Sequence, residues 1–149
     1  MSVNFKASEI AAIVGAINPV SQGAGSVSSG WIDASKFPTY EAVVMAGVLG
    51  ASATLDGKLE QATDGSGTGV KDITGKAITQ LTKAGSDDNK QAIINLRPAE
   101  LDLDNGFGYF RVTLTVATAA SLVAATVLGV NAKSGFASAN DAASVDEIV

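Results

Sequence analysis

The stretch Gly106–Gly129, GFGYFRVTLTVATAASLVAATVLG, holds the longest apolar and β-branched run of the chain, and the remaining residues have to cover it. Phe110, Val112, Leu114 and Val116 alternate with Arg111, Thr113, Thr115 and Ala117. That period of two is the signature of a strand with one face buried and the other in water. Leu122 to Leu128 is rich enough in β-branched residues to form a second strand. Only Thr118, Ala119 and Ala120 separate the two, so the sequence predicts an antiparallel hairpin, although no Asn-Gly or Asp-Gly pair marks its turn. Working outward from this stretch, the fold class is all-β.

Composition agrees. The 149 residues fit one domain and one core. Hydrophobic residues make up 46% but aromatics only 5%, and the 16 glycines supply many turns, a profile of β-structure rather than disorder. The net charge of −5 and the lack of any Lys/Arg cluster argue against nucleic acid as a partner. There is no cysteine, hence no disulfide and no thiolate site. There is no histidine, which removes the commonest general base and the commonest metal ligand together. The expectation is a non-enzyme with no cofactor and no metal site. Ala117 to Val130 is shorter than the ~20 apolar residues needed to cross a bilayer and carries Thr and Ser, so it reads as core and not as membrane. Glu9 and the Asn18-Pro19 pair argue against reading Ala11 to Ile17 as a secretion signal.

Residues 1–28 read as an N-terminal arm or short helix with a lead-in. Ser8 is placed to cap a helix, Asn18-Pro19 to stop it, and Gly23 to Ser28 form a loose polar passage. Trp31, Phe37 and Tyr40 are expected to seal one end of the core, with a sugar- or partner-binding platform as the alternative. Glu41 to Leu49 and Gln91 to Leu96 read as buried strands. In Ala53 to Thr63, Leu55, Gly57, Leu59 and Gln61 alternate with Asp56, Lys58 and Glu60, a half-exposed strand with a charged outer face. Two short strands are expected around Val70 to Ile73 and Ala77 to Leu81.

Two motifs invite a ligand and fail on spacing. The loop Asp64-Gly-Ser-Gly-Thr-Gly69 is glycine-rich, but a phosphate-binding loop needs glycine where Val70 stands and Ser or Thr where Ala77 stands, so it reads as a turn. Glu100, Asp102 and Asp104 would project on one side of an extended segment, yet Phe107 occupies the glycine position of a calcium loop and Gly106 a ligand position. A solvated acidic edge is the reading, with a hard cation as the alternative. Arg111 is the one charge inside its strand, set either to pair with one of these carboxylates or to face a second subunit. Residues 131–149, NAKSGFASANDAASVDEIV, hold only isolated apolar anchors and read as a C-terminal arm laid over a neighbour.

The order of motifs Ser29-Gly-Trp-Ile-Asp33, Leu59-Glu-Gln-Ala-Thr-Asp-Gly-Ser-Gly67, Lys71-Asp-Ile-Thr-Gly-Lys-Ala77 and Tyr109-Phe-Arg-Val112 resembles small head structural proteins of tailed bacteriophages, of the capsid decoration or cement type. The resemblance covers residues 29–129. It implies a β-sandwich domain, residues 29–130, of about eight strands in a jelly roll or related Greek key. It also implies a virion structural protein on the capsid surface, made in the host cytoplasm, that bridges major capsid subunits. The implied partners are the major capsid protein and further copies of the chain, as a homotrimer, with no membrane. A neck, tail or fibre-base component is the alternative, and a carbohydrate-binding module a further one. The residues expected to carry capsid or inter-subunit contacts are Phe5, Ile10, Ile13, Arg111, Phe136, Ile148 and Val149.

Overall fold

Phe110, Val112, Leu114 and Val116 are at most 1% exposed, so the alternation read in the sequence is a strand with one face in the core. A computed structural model describes residues 4–149. It contains one short helix, α1 (Ala7–Ile10), and ten strands: β1 (Ala11–Gln22), β2 (Gly25–Ser28), β3 (Ile32–Asp33), β4 (Thr39–Ala46), β5 (Thr54–Ala62), β6 (Lys71–Ala77), β7 (Leu81–Thr82), β8 (Gln91–Leu96), β9 (Tyr109–Ala117) and β10 (Ser121–Val130). Among the described residues no helix is long and apolar enough to cross a membrane.

The strands form two antiparallel sheets. One has the order β1-β10-β4-β8; the other has the order β2-β9-β5-β6, with β3 added on β9 and β7 on β5. The pairings nest: β1 with β10, β2 with β9, β4 with β8, and β5 with β6. Such nesting is a long hairpin wrapped around a common core, which is the jelly-roll form of the sandwich. Inner faces meet through Val44, Leu55, Leu59, Leu114 and Val127, all fully buried. Burial of each such side chain stabilises by about 1.5–3 kcal/mol.

The hairpin expected from the central stretch does not form. β9 is flanked by β2 and β5, and β10 by β1 and β4, so neither has an edge left for the other and they lie in opposite sheets. Their link crosses between the sheets, with Thr118 in a left-handed turn at φ 77°. The Gly50 N–H donates to Ser121 Oγ at 3.0 Å and holds the crossing to the β4–β5 loop.

The N-terminal arm also needs correcting, although residues 1–3 of it lie outside the described residues. Helix α1 starts after Lys6, whose N–H donates to Glu9 Oε2 at 2.8 Å, so Ser8 is inside the helix and caps nothing. Residues 11–22 and 25–28 are then strands of the sandwich. Register shifts at Ile13/Gly15 and Ile17/Val20 let β1 run through Asn18-Pro19, which a strand at the sheet edge tolerates. Two further corrections are local. β6 runs unbroken from Lys71 to Ala77 through Gly75 at φ 76°, where two strands were expected. The first half of the C-terminal arm, expected over a neighbour, packs on its own sandwich: Asn131 N–H donates to Ile10 O (2.8 Å), Lys133 N–H to Lys36 O (3.0 Å) and Ala142 N–H to Ile13 O (2.7 Å), while Ala137 is wholly buried.

The core seal is Phe37, Tyr40 and Phe110, stacked edge to face with centroids 5.6 and 4.8 Å apart. The Tyr40 hydroxyl donates to Asp33 O (3.0 Å) and accepts from the Phe37 N–H (3.2 Å), and burial pushes it up to about 12. Trp31, expected in this cluster, stands half-buried outside it. Gly129 is required here because a Cβ would lie 2.5 Å from the Phe37 ring.

Candidate functional surfaces

The two sheets present opposite chemistry to the outside. On the β2-β9-β5-β6 sheet, the outward residues of β9 are Arg111, Thr113 and Thr115; their cross-strand partners on β5 are Glu60, Lys58 and Asp56. Arg111 Nε donates to Glu60 Oε2 at 2.8 Å, and its guanidinium lies 4.6 Å from the Trp31 ring centroid. Thr113 Oγ1 donates to the same carboxylate oxygen at 2.9 Å. Lys58 reaches both Glu60 (3.3 Å) and Asp72 (2.7 Å). Hydroxyl pairs Ser28–Thr113 (2.8 Å) and Ser26–Thr115 (2.7 Å) continue the polar surface to β2. Arg111 is therefore engaged within its own face, paired with Glu60 and not with the carboxylates of residues 100–104.

Burial pushes the Glu60 carboxyl up, but the hydrogen bonds from Arg111 and Thr113 and the nearby positive charge outweigh it and hold the group below its ordinary value of 4.5. Because the folded form has the lower value, the stabilisation is complete above 4.5 and is lost as pH falls through the depressed folded value. Glu60→Gln is expected to cost about 1–2 kcal/mol at neutral pH and to flatten part of the acid limb of a melting-temperature profile. Thermal melts of both chains from pH 7 down to acid check this; parallel profiles would contradict it.

The acidic residues near Glu100 do not form the expected stripe. Pro98–Glu100 and Leu103–Asn105 are 3-10 turns, so the side chains diverge. Glu100 accepts from the Arg97 N–H (2.8 Å) and pairs with Lys76 (2.9 Å), while Asp102 pairs with Lys71. Among the described residues no group of three His, Cys, Asp or Glu side chains is placed to hold a metal. The glycine-rich loop is a turn closed by Asp64, which accepts from the Ser66 and Thr68 N–H groups at 2.9 and 3.0 Å. Gly67 sits where a Cβ would be 2.6 Å from the Trp31 indole nitrogen, so the loop rests on the tryptophan. Tyr40, the second aromatic of a sugar platform, is 1% exposed and cannot serve as one.

The outer face of the β1-β10-β4-β8 sheet is predominantly apolar. One row across it is Ile13, Leu128, Glu41 and Asn95, the next Ala16, Thr126, Val43 and Ile93, and the next Ala124, Met45 and Gln91. Glu41 is the one charge in these rows. Ile93 is 58% and Leu122 49% exposed, and a shallow groove of about 420 Å3 runs between Val20, Met45, Gly47 and Leu122.

Three of the expected contact residues meet. Phe5 packs edge to face on Phe136 at 6.4 Å, and with Ile10 they line an open cavity of about 430 Å3 where β1 begins and β10 ends. Both rings remain 55% exposed. Ile13 is half-buried on the apolar face, with its N–H donating to Asp141 Oδ1 at 2.9 Å. Ile148 and Val149 are exposed and do not line this cavity. Sequence reading missed Val43, Met45 and Ile93 as surface residues. The signal was present in the runs EAVVMA and QAIINL, which are apolar at both parities, whereas a strand with one wet face alternates.

No protein-family profile and no curated protein matches the chain. Among solved structures it is similar to a chain of Broad Bean Stain Virus, 12% identical over 88% of this chain and 91% of that one, with a TM-score of 0.47. It is also similar to the CBM22-2 xylan-binding domain from Paenibacillus barcinonensis Xyn10C (11% identical, 76% and 88% covered, TM-score 0.39) and to Cocksfoot mottle virus (8% identical, 89% and 96% covered, TM-score 0.34). Likenesses at this level assign neither fold nor role, and the jelly-roll architecture rests on the strand pairing described above.

Proposed function

We propose that the chain is a virion structural protein that decorates a phage capsid, seated on major capsid subunits through the apolar face of the β1-β10-β4-β8 sheet. The observation that carries this reading is the asymmetry of the two faces: one is laced with ion pairs, while the other presents Val43, Met45, Ile93 and Leu122 around a single charge. A continuous exposed apolar patch on one side of a small domain is the mark of a protein-binding surface. The motif resemblance to phage head proteins supplies the kind of partner.

Magnitude shapes the mechanism. Four strands at about 4.8 Å and six residues at about 3.3 Å give a face of roughly 400 Å2. This is about half of what one partner contributes to a stable stand-alone interface. Firm seating thus needs additional contacts or many linked copies. The Phe5–Ile10–Phe136 cluster at the end of the same sheet and the exposed Ile148–Val149 tail supply the first, and a trimer the second.

Copy number and position test the reading together. Quantifying the chain against the major capsid protein in purified virions, with micrographs of labelled particles, is expected to place it over the whole shell in proportion to the capsid subunits. A single ring of copies at one vertex would assign it to the neck or tail instead, and absence from the particle would remove the virion role.

A further inference from the structure

We infer that β8 is a self-pairing edge, through which two copies of this chain join antiparallel about a two-fold axis at Ile93. The sandwich has four sheet edges, and natural edges are guarded against strand addition by charge, proline, bulges, shortness or a covering segment. Three of the four carry such guards. β1 has Pro19 and two register shifts, and residues 141 and 142 hydrogen-bond Ile13 from outside. β2 is four residues long and opens on Gly25 at φ 137°. β6 carries Lys71, Asp72 and Lys76, a left-handed Gly75 and a register shift against β5. β8, QAIINL, has no charge, proline or glycine, and pairs with β4 in unbroken register from Gln91 to Leu96.

The free groups of that edge can be located. Ala46 N–H donates to Lys90 O at 2.9 Å, which makes that opposed pair a hydrogen-bonded one. Bonded and non-bonded pairs alternate along an antiparallel ladder. Ala92, Ile94 and Leu96 therefore bond to β4, while Gln91, Ile93 and Asn95 turn their N–H and C=O groups away from it. All three are exposed.

This set is self-complementary. Antiparallel pairing about Ile93 places Ile93 against Ile93, Gln91 against Asn95, and Lys90 against Leu96, with no like charges opposed. A contact of this kind is isologous and closes on two copies. It would merge two apolar faces into one surface eight strands wide, and on an assembly it would join neighbouring trimers rather than build one. With only six residues per copy it belongs to the weak, reversible class. It does not depend on what the apolar face binds.

Because the chain has no cysteine, single thiols report the register directly. Paired Cα atoms at the axis would be about 5.5 Å apart, within reach of a disulfide. Under mild oxidation of the full chain, Ile93→Cys is expected to form a covalent dimer at least tenfold faster than Gln91→Cys or Asn95→Cys alone, and a mixture of the last two chains to cross-link with each other. Equal rates for all three single variants would show random collision, and a failure of Ile93→Cys to dimerise, or a preference for another register, would equally overturn the inference. Since Ile93 is 58% exposed, the core is untouched, which a thermal melt of each variant verifies.

Discussion

Phe110→Ala is expected to lower the unfolding free energy by about 3–5 kcal/mol, a large share of what a domain of this size possesses. Phe110 is wholly buried and stacks on Tyr40 at 4.8 Å, and Tyr40 in turn holds Phe37. Its strand has Gln61 of β5 on one side and Ile32 of β3 on the other, so the vacated volume is walled by paired backbone and cannot collapse cheaply. Phe136→Ala removes the same ring from a site that is 55% exposed and should change stability by less than about 0.5 kcal/mol. Denaturant unfolding of the two variants beside the parent chain checks the contrast. Similar losses in both would mean that the C-terminal segment is as deep in the core as β9.

Val43→Lys is the second large effect, on binding and not on folding. Val43 lies at the middle of the apolar face, between Thr126 and Ile93, on a strand whose inward neighbours Ala42 and Val44 are untouched by the change. In the free protein the ammonium reaches water along a flexible stem. Seated against a partner, it would be buried with only Glu41, two residues along the same face of β4, as a counter-charge, and the desolvation of both groups costs several kcal/mol. At least a tenfold loss of affinity follows, since about 1.4 kcal/mol already corresponds to a factor of ten.

What the sequence made legible was the local part of the fold. In β5, burial falls on Leu55, Gly57, Leu59 and Gln61 and exposure on Asp56, as period-two alternation requires. The same holds along β9 except at Thr113, which is on the outward side yet buried, hydrogen-bonded to Ser28 and Glu60. Pairing was not legible, because partners in a jelly roll are far apart in sequence: Ala11 meets Val130, and Ser28 meets Thr113. Short range favoured a β9–β10 hairpin, and only the closed set of neighbours on both strands rules it out. In sequence Asn18-Pro19 signals a stop because a proline ends most regular structure, yet at an edge with a bulge its missing N–H costs no ladder bond.

The candidate surfaces divide in the same way. Phe5, Ile10 and Phe136 stood out as isolated apolar residues, but their meeting depends on Asn131 returning beside Ile10 once the sandwich has closed. Arg111 stood out as a lone strand charge, and its partner Glu60 lies 51 residues away. Val43 and Met45 were hidden by their own hydrophobicity, since an apolar run reads as buried on both sides until the sheet is seen to have no second layer over it.

The proposal that the chain seats on a phage capsid by its β1-β10-β4-β8 face is tested most directly by occupancy on purified capsids stripped of this protein. Val43→Lys and Thr115→Lys place the same charge on opposite faces of the sandwich, on β4 and β9. Titrated onto such capsids beside the parent chain, Thr115→Lys is expected to reach parental occupancy and Val43→Lys to need at least tenfold more protein. Equal occupancy for both variants, or loss confined to Thr115→Lys, would contradict the assignment of the apolar face.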